Sequence, residues 1–142
     1  MKARPRRLIW IVSIAAILAA GALLALNRAR VPEPPVISMD SIDPAVAAVF
    51  TKHLEAVRKA PRSSEAWGAL ATVYMVYEHN ENARICFDIA HQLDPDKALW
   101  LYFGGLMHYP GDMDGCITRM MESVELFGGN VTAPRLRLGN IL

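Results

Sequence analysis

The sequence predicts an all-α protein built as a helical repeat, on three observations. Between residues 64 and 96, Trp67, Leu70, Ala71 and Tyr74 stand three, four and seven positions apart. Ala83, Phe87 and Ala90 continue at helical spacing before Pro95 stops the run. No stretch shows convincing period-two alternation, and the β-branched residues are scattered through helical patterns. The chain also matches itself when shifted by 33 residues. Trp67 then falls on Trp100, Leu70 on Phe103, Ala71 on Gly104 and Tyr74 on Met107. Likewise Ala83 falls on Cys116, Phe87 on Met120, Ala90 on Ser123 and Pro95 on Gly128. Large residues meet large and small meet small, which marks an internal repeat of about 34 residues.

The N-terminal part belongs to a different class. Residues 8–26 are 19 consecutive uncharged positions with Ser13 as the one polar side chain. As a helix they would span about 28 Å, close to the hydrocarbon thickness of a bilayer. Lys2, Arg4, Arg6 and Arg7 precede the run, and Arg28 and Arg30 follow it. The larger positive flank stays cytoplasmic, so residues 1–7 read as a cytoplasmic end and residues 8–26 as a single-pass signal anchor in the inner membrane. The rest of the chain is then expected in the periplasm or outside the cell. A cleaved signal peptide is the competing reading, with Ala20-Gly21-Ala22 as a small-residue cleavage site.

Charge follows the same division. Six of the 15 basic residues lie in the first 30 positions and none of the 14 acidic ones do, leaving a net −5 on the remainder. An acidic exported domain has no electrostatic footprint for nucleic acid. The two cysteines, Cys86 and Cys116, make neither a disulfide framework nor a zinc site. They read as small buried helix residues or as one bridge between neighbouring helices.

Residues 27–42, with Pro32, Pro34 and Pro35, read as an extended spacer. Asp43 and Pro44 then open a helix as N-cap and first helical residue. Val46, Val49, Phe50, Leu54 and Val57 line one face of it, and Pro61 ends it. A second helix is expected over about residues 64–77, capped by Ser63 or Ser64 with Glu65 in its favourable first turn. A third is expected over about residues 82–93, ending at Asp94-Pro95. Paired helices bury large side chains only if small ones sit opposite, and a single pair is unstable until another stacks on it.

The pattern Trp67-x2-Leu70-Ala71-x2-Tyr74, with Ala83-x3-Phe87, Ala90 and Pro95, resembles the tetratricopeptide repeat. The second copy keeps Trp100 and Gly104 but departs at Met107, Cys116, Ser123 and Gly128. The resemblance covers residues 43–142 and implies a half-repeat at 43–61, full repeats at 64–96 and 97–130, and the start of a third at 131–142. It also implies that the first helix of each repeat lines a concave groove. Carried onto this sequence, the groove residues are Glu65, Thr72, Met75 and Val76, then Leu101, His108 and Tyr109, then Asn140. Gly68 and Gly105 fall on the same face. The basic and amide residues with which some family members clamp a terminal carboxylate are missing there, leaving Arg137 as a lone candidate. Such a groove suits a short apolar or aromatic-bearing peptide or helix. Met75 and Leu101 have the alternative role of packing against neighbouring helices.

Enzyme chemistry finds no foothold in the sequence. There is no Gly-rich phosphate loop, nucleophile elbow or pair of metal-binding histidines on one helical face. His53, His79, His91 and His108 are dispersed, and "DMDG" at 112–115 lacks the later ligands of a calcium loop and reads as a turn. No cofactor is expected. The function predicted is a membrane-anchored, non-catalytic scaffold for a protein or peptide partner. A narrower version rests on similarity to the membrane-anchored repeat proteins of bacterial cytochrome c maturation, which implies holding apocytochrome for haem attachment. The apolar, unpaired end "RLRLGNIL" keeps open two further readings: the leading segment of a larger exported enzyme or cytochrome, and self-association through the last helix.

Overall fold

The computed structural model describes residues 32–40, 42–109 and 111–128, together with 134 and 139. The membrane-anchor reading of 8–26, and Asn140 and Arg137, lie outside the described residues. Within them are five α-helices and no strand: α1 Pro44–Lys59, α2 Ser64–Val76, α3 Asn80–Leu93, α4 Ala98–His108 and α5 Met113–Leu126. The all-α expectation is met. No helix among the described residues is long and apolar enough to cross a membrane.

The helix starts follow from side-chain chemistry. Asp43 Oδ1 accepts from the Ala45 N–H at 2.8 Å, and Pro44 begins α1 where a missing N–H costs nothing. Ser63 Oγ accepts from the Ala66 N–H at 3.1 Å, and Asp112 Oδ1 from the Gly115 N–H at 2.9 Å. Asp112 of the "DMDG" stretch is therefore the N-cap of α5.

The third helix begins at Asn80, two residues earlier than its apolar pattern suggests. The cause is Glu78, which adopts a left-handed φ of 63°. With it, the His79 N–H reaches the Tyr74 carbonyl at 2.9 Å and the Glu78 N–H reaches that of Met75 at 3.1 Å. This closes α2 tightly in the manner usual for glycine. Gly128 ends α5 the same way, with φ 62° and its N–H on the Glu125 carbonyl at 2.9 Å. A left-handed glycine thus does after α5 what Asp94-Pro95 does after α3.

Each helix packs mainly on its sequence neighbours, most extensively α2 on α3 and α4 on α5. The result is a repeat-like stack of two hairpins preceded by α1. Burial follows the 33-residue register. Trp67, Leu70, Ala71, Tyr74, Ala83, Phe87 and Ala90 are fully buried, as are Cys116, Met120 and Ser123 in the second copy, with Trp100 at 7% and Gly104 buried too. The second copy is looser where it departs from the first, since Phe103 and Met107 are only half-buried. Cys86 and Cys116 are buried thiols with no bridge between them.

The two tryptophans hold the stack differently. The Trp67 indole N–H donates to the Pro61 carbonyl at 2.8 Å, tying α2 to the turn before it. Trp100 instead reaches across to α2, and a Cβ added at Gly68 would overlap its six-membered ring. Phe87 lies 6.2 Å from Trp100 and stacks on Phe103 at 5.7 Å, joining α3 to α4.

Gly68→Val drives a branched side chain into the Trp100 ring. It should cost about 1–3 kcal/mol through overpacking, seen as a lower urea midpoint at unchanged m-value. Unchanged stability would show that Trp100 does not sit there. Glu78→Gly should raise the unfolding free energy by about 0.5–1 kcal/mol, seen as a higher urea midpoint, because left-handed strain is relieved by more than the added chain entropy costs. A fall in stability would remove the left-handed assignment.

Candidate functional site: an interaction surface

The face carried over from the repeat pattern does not stay uniformly open. On α2, Glu65 and Thr72 are exposed, Met75 is half-buried and Val76 is 65% exposed. Thr72 turns its hydroxyl back onto the Gly68 carbonyl at 2.8 Å, and Gly68 is covered by Trp100. On α4, Leu101 is 3% exposed and Gly105 is buried. A Cβ on Gly105 would come 3.2 Å from Arg119 Cβ and 3.5 Å from the Cys116 carbonyl, so that position faces α5. Leu101 likewise lines a cleft of about 320 Å³ with His91, Thr118, Arg119 and Glu122. These two α4 positions pack rather than present themselves. His108 is half-buried and Tyr109 is 50% exposed.

One end of the α2 face is closed by charge. Lys97 Nζ, at the start of α4, lies 2.9 Å from Glu65 Oε1 and 4.6 Å from the centre of the Trp100 ring. The ammonium thus sits over the aromatic face and against the carboxylate together. The hydrogen bond from Lys97, then those from the Glu65 backbone N–H and the Ser64 hydroxyl, lower the Glu65 carboxyl from its ordinary 4.5 to about 2.

The opposite end is open. There α2 and α4 finish and α3 and α5 begin, and Val76, Tyr77, Tyr109 and Met113 are exposed at 65%, 39%, 50% and 39%. A cleft of about 300 Å³ opens here among Glu81, Arg84, Met107, His108, Tyr109 and Asp112. Arg84 clamps Glu81 through two nitrogens, at 2.6 and 3.1 Å, which lowers the Glu81 carboxyl. It also reaches Asp88 Oδ2 at 3.2 Å, while Asp88 Oδ1 takes Arg119 of α5 at 2.9 Å. This chain of charges passes beside Gly104, where a Cβ would lie 3.7 Å from Arg119 Nη1 and 3.8 Å from Asp88 Oδ1.

His108 Nδ1 pairs with Asp112 Oδ2 at 2.9 Å, and its Nε2 finds no hydrogen-bond partner among the described residues. The Gly115 N–H, then His108, lower the Asp112 carboxyl. The cleft lining therefore combines the Glu81, Arg84 and Asp112 charges with Met107 and Tyr109, while the unpartnered His108 Nε2 is itself buried. Among the described residues no group of three or more His, Cys, Asp or Glu is placed to hold a metal ion.

Sequence spacing points to Val76, His108 and Tyr109, which do come to this end. It does not point to Glu81, Arg84 and Asp112. The i,i+3 and i,i+4 spacing of Glu81, Arg84 and Asp88 carries the intrahelical part of the network. The Arg119 arm depends on α5 lying beside α3 and has no local signal. The chain matches no known protein-family model and no curated protein.

The Glu65–Lys97 bridge fixes an acid dependence. Because the folded-state carboxyl titrates below its ordinary value, the stabilisation is present above about pH 4.5 and is lost as the pH falls towards 2. The wild-type chain should therefore exceed Glu65→Gln in urea midpoint at about pH 6, with the gap closing towards about pH 2 and in high salt. A gap that stays constant with pH would mean that the bridge does not form.

Proposed function

We propose that this chain is a non-catalytic protein–protein interaction module of tetratricopeptide type, anchored in the inner membrane through residues 8–26 with its helical stack on the outer side. The uncharged 19-residue run and its basic flank support the anchor and its direction. The 33-residue register, shared by sequence and burial, supports the repeat assignment.

One observation carries the binding reading. Val76, Tyr77 and Tyr109 stay exposed where α2 and α4 end, and Tyr109 lines a charged cleft there, in a chain whose other repeat aromatics are largely buried. Aromatic and aliphatic side chains beside fixed charges are the anchors of protein recognition. The partner best suited is a short peptide or helix that places an apolar side chain between Val76 and Tyr109 and polar groups on the Arg84–Glu81 and His108–Asp112 pairs.

A photo-crosslinking residue placed at 76 or 109 of the full chain, in intact cells, should yield one dominant protein adduct common to both positions. The same residue at the exposed Glu55 of α1 should not. Indistinguishable adduct patterns at all three positions would sink this assignment of the surface.

A further inference from the structure

Ahead of α1 the chain reads Glu33-Pro34-Pro35-Val36-Ile37, a run that the surface described above leaves without a role. Proline locks its own φ and drives the residue before it to extended geometry. Glu33 and Pro34 both precede a proline, so this run is pre-set as an extended polyproline rod. As a plain spacer it would stand in water. Instead Pro34 is buried, Pro35 and Ile37 are half-buried, and Glu33 and Val36 point out. The Tyr74 hydroxyl, 39 positions away, donates to the Pro35 carbonyl.

Tyr74 itself belongs to an aromatic cluster. Phe50 of α1 has its ring centre 5.3 Å from those of both Tyr74 and Tyr77, and His79 stands edge-on to Tyr74 at 6.1 Å. Phe50 and Tyr74 are fully buried, while Tyr77 forms a rim at 39% exposure. Burial raises the Tyr74 hydroxyl from its ordinary 10 to about 12, keeping it a donor at any physiological pH. Without the Pro35 carbonyl this buried donor would lose the acceptor it has in the structure, at the usual cost of an unmade hydrogen bond. A tyrosine hydroxyl that takes a proline carbonyl, an aromatic cluster around that tyrosine, and a ligand already in its bound shape are features of proline-rich recognition.

We propose that the Phe50, Tyr74, Tyr77 and His79 cluster is a receptor site for extended proline-rich peptides, kept filled by the chain's own Pro34 and Pro35. A tethered ligand acts at an effective concentration of order millimolar, so a peptide added from outside meets a site that is mostly occupied. The resting chain therefore binds such a peptide about tenfold or more weakly than a chain whose own prolines are removed. This site shares Tyr77 with the exposed end described above, but its test reads the Tyr74 hydroxyl and the prolines, so it can fail or hold independently of that reading.

The probe is a fluorescein-labelled peptide with the sequence of residues 31–38, VPEPPVIS, followed by anisotropy with the full chain. Wild type should bind weakly, and Pro34→Ser with Pro35→Ser should bind about tenfold tighter. Adding Tyr74→Phe to that background should weaken binding again several-fold, and a probe with serine at its prolines should not bind. Circular dichroism establishes that each variant keeps its helices. If the double variant unfolds, excess unlabelled peptide on the wild-type chain provides the readout: it should speed proteolysis within residues 32–40, and the serine peptide should not. A folded double variant that binds no tighter than wild type overturns the proposal. So does equal binding of proline and serine probes, indifference to Tyr74→Phe, or proteolysis unaffected by excess peptide.

Discussion

The six-membered ring of Trp100 occupies the place that a Cβ at Gly68 would need, and the order of the helices depends on that seat. The most extensive packing is between sequence neighbours, and the Trp100 ring adds a link from α4 back to α2. Phe87 of α3 lies on Trp100, and Lys97 covers its ring while holding Glu65 of α2. A single indole thus meets α2, α3 and the start of its own helix. The price is the indole N–H, which is buried without an acceptor among the described residues. In the first copy the equivalent N–H has one in the Pro61 carbonyl. The two tryptophans share a position in the repeat and differ in task.

Small residues matter here for what they admit. Gly68 admits an aromatic ring, Gly105 admits the Arg119 stem, and Gly104 leaves room for the Asp88–Arg119 pair beside α4. That pair, continued through Arg84 to Glu81, links α5 to α3 with partly exposed charges. Partly exposed pairs add modest stability but define geometry well when an arginine is held by two carboxylates. The network extends from the hairpin contacts to the open cleft, so the rim of that cleft is fixed by the same side chains that join the helices.

Much of the fold is legible in the residue pattern because helix period, caps and the 33-residue register all agree. Asp43, Ser63 and the buried series from Trp67 to Ala90 are of this kind. What is not legible depends on contacts distant in sequence or on unusual backbone. Nothing at Glu78 announces a left-handed residue, so the start of α3 is displaced. Leu101 and Gly105 occupy groove positions of the repeat, but α5 lies against them, and their apolar or small character is the local hint that they pack. Val76 and Tyr109 remain exposed, whereas the Arg84 and Asp112 contributions to the same end follow from tertiary placement. The proline run is the sharpest case. Its composition fits a solvated spacer, yet a rigid rod with free carbonyls is equally suited to dock wherever rings and a hydroxyl are presented.

The surface features follow from the same packing rule. Most side chains in the repeat register go inward, while Val76, Tyr77 and Tyr109 beyond it stay exposed where α2 and α4 end. The Trp100–Gly68 seat is the claim on which this arrangement rests, and proton NMR of the full chain tests it most directly. Strong nuclear Overhauser contacts are expected between the Gly68 Hα protons and the Trp100 ring, with the Gly68 Hα resonances displaced by the ring current. Gly68 Hα shifts at ordinary helical values, with no contact to the indole, would contradict it.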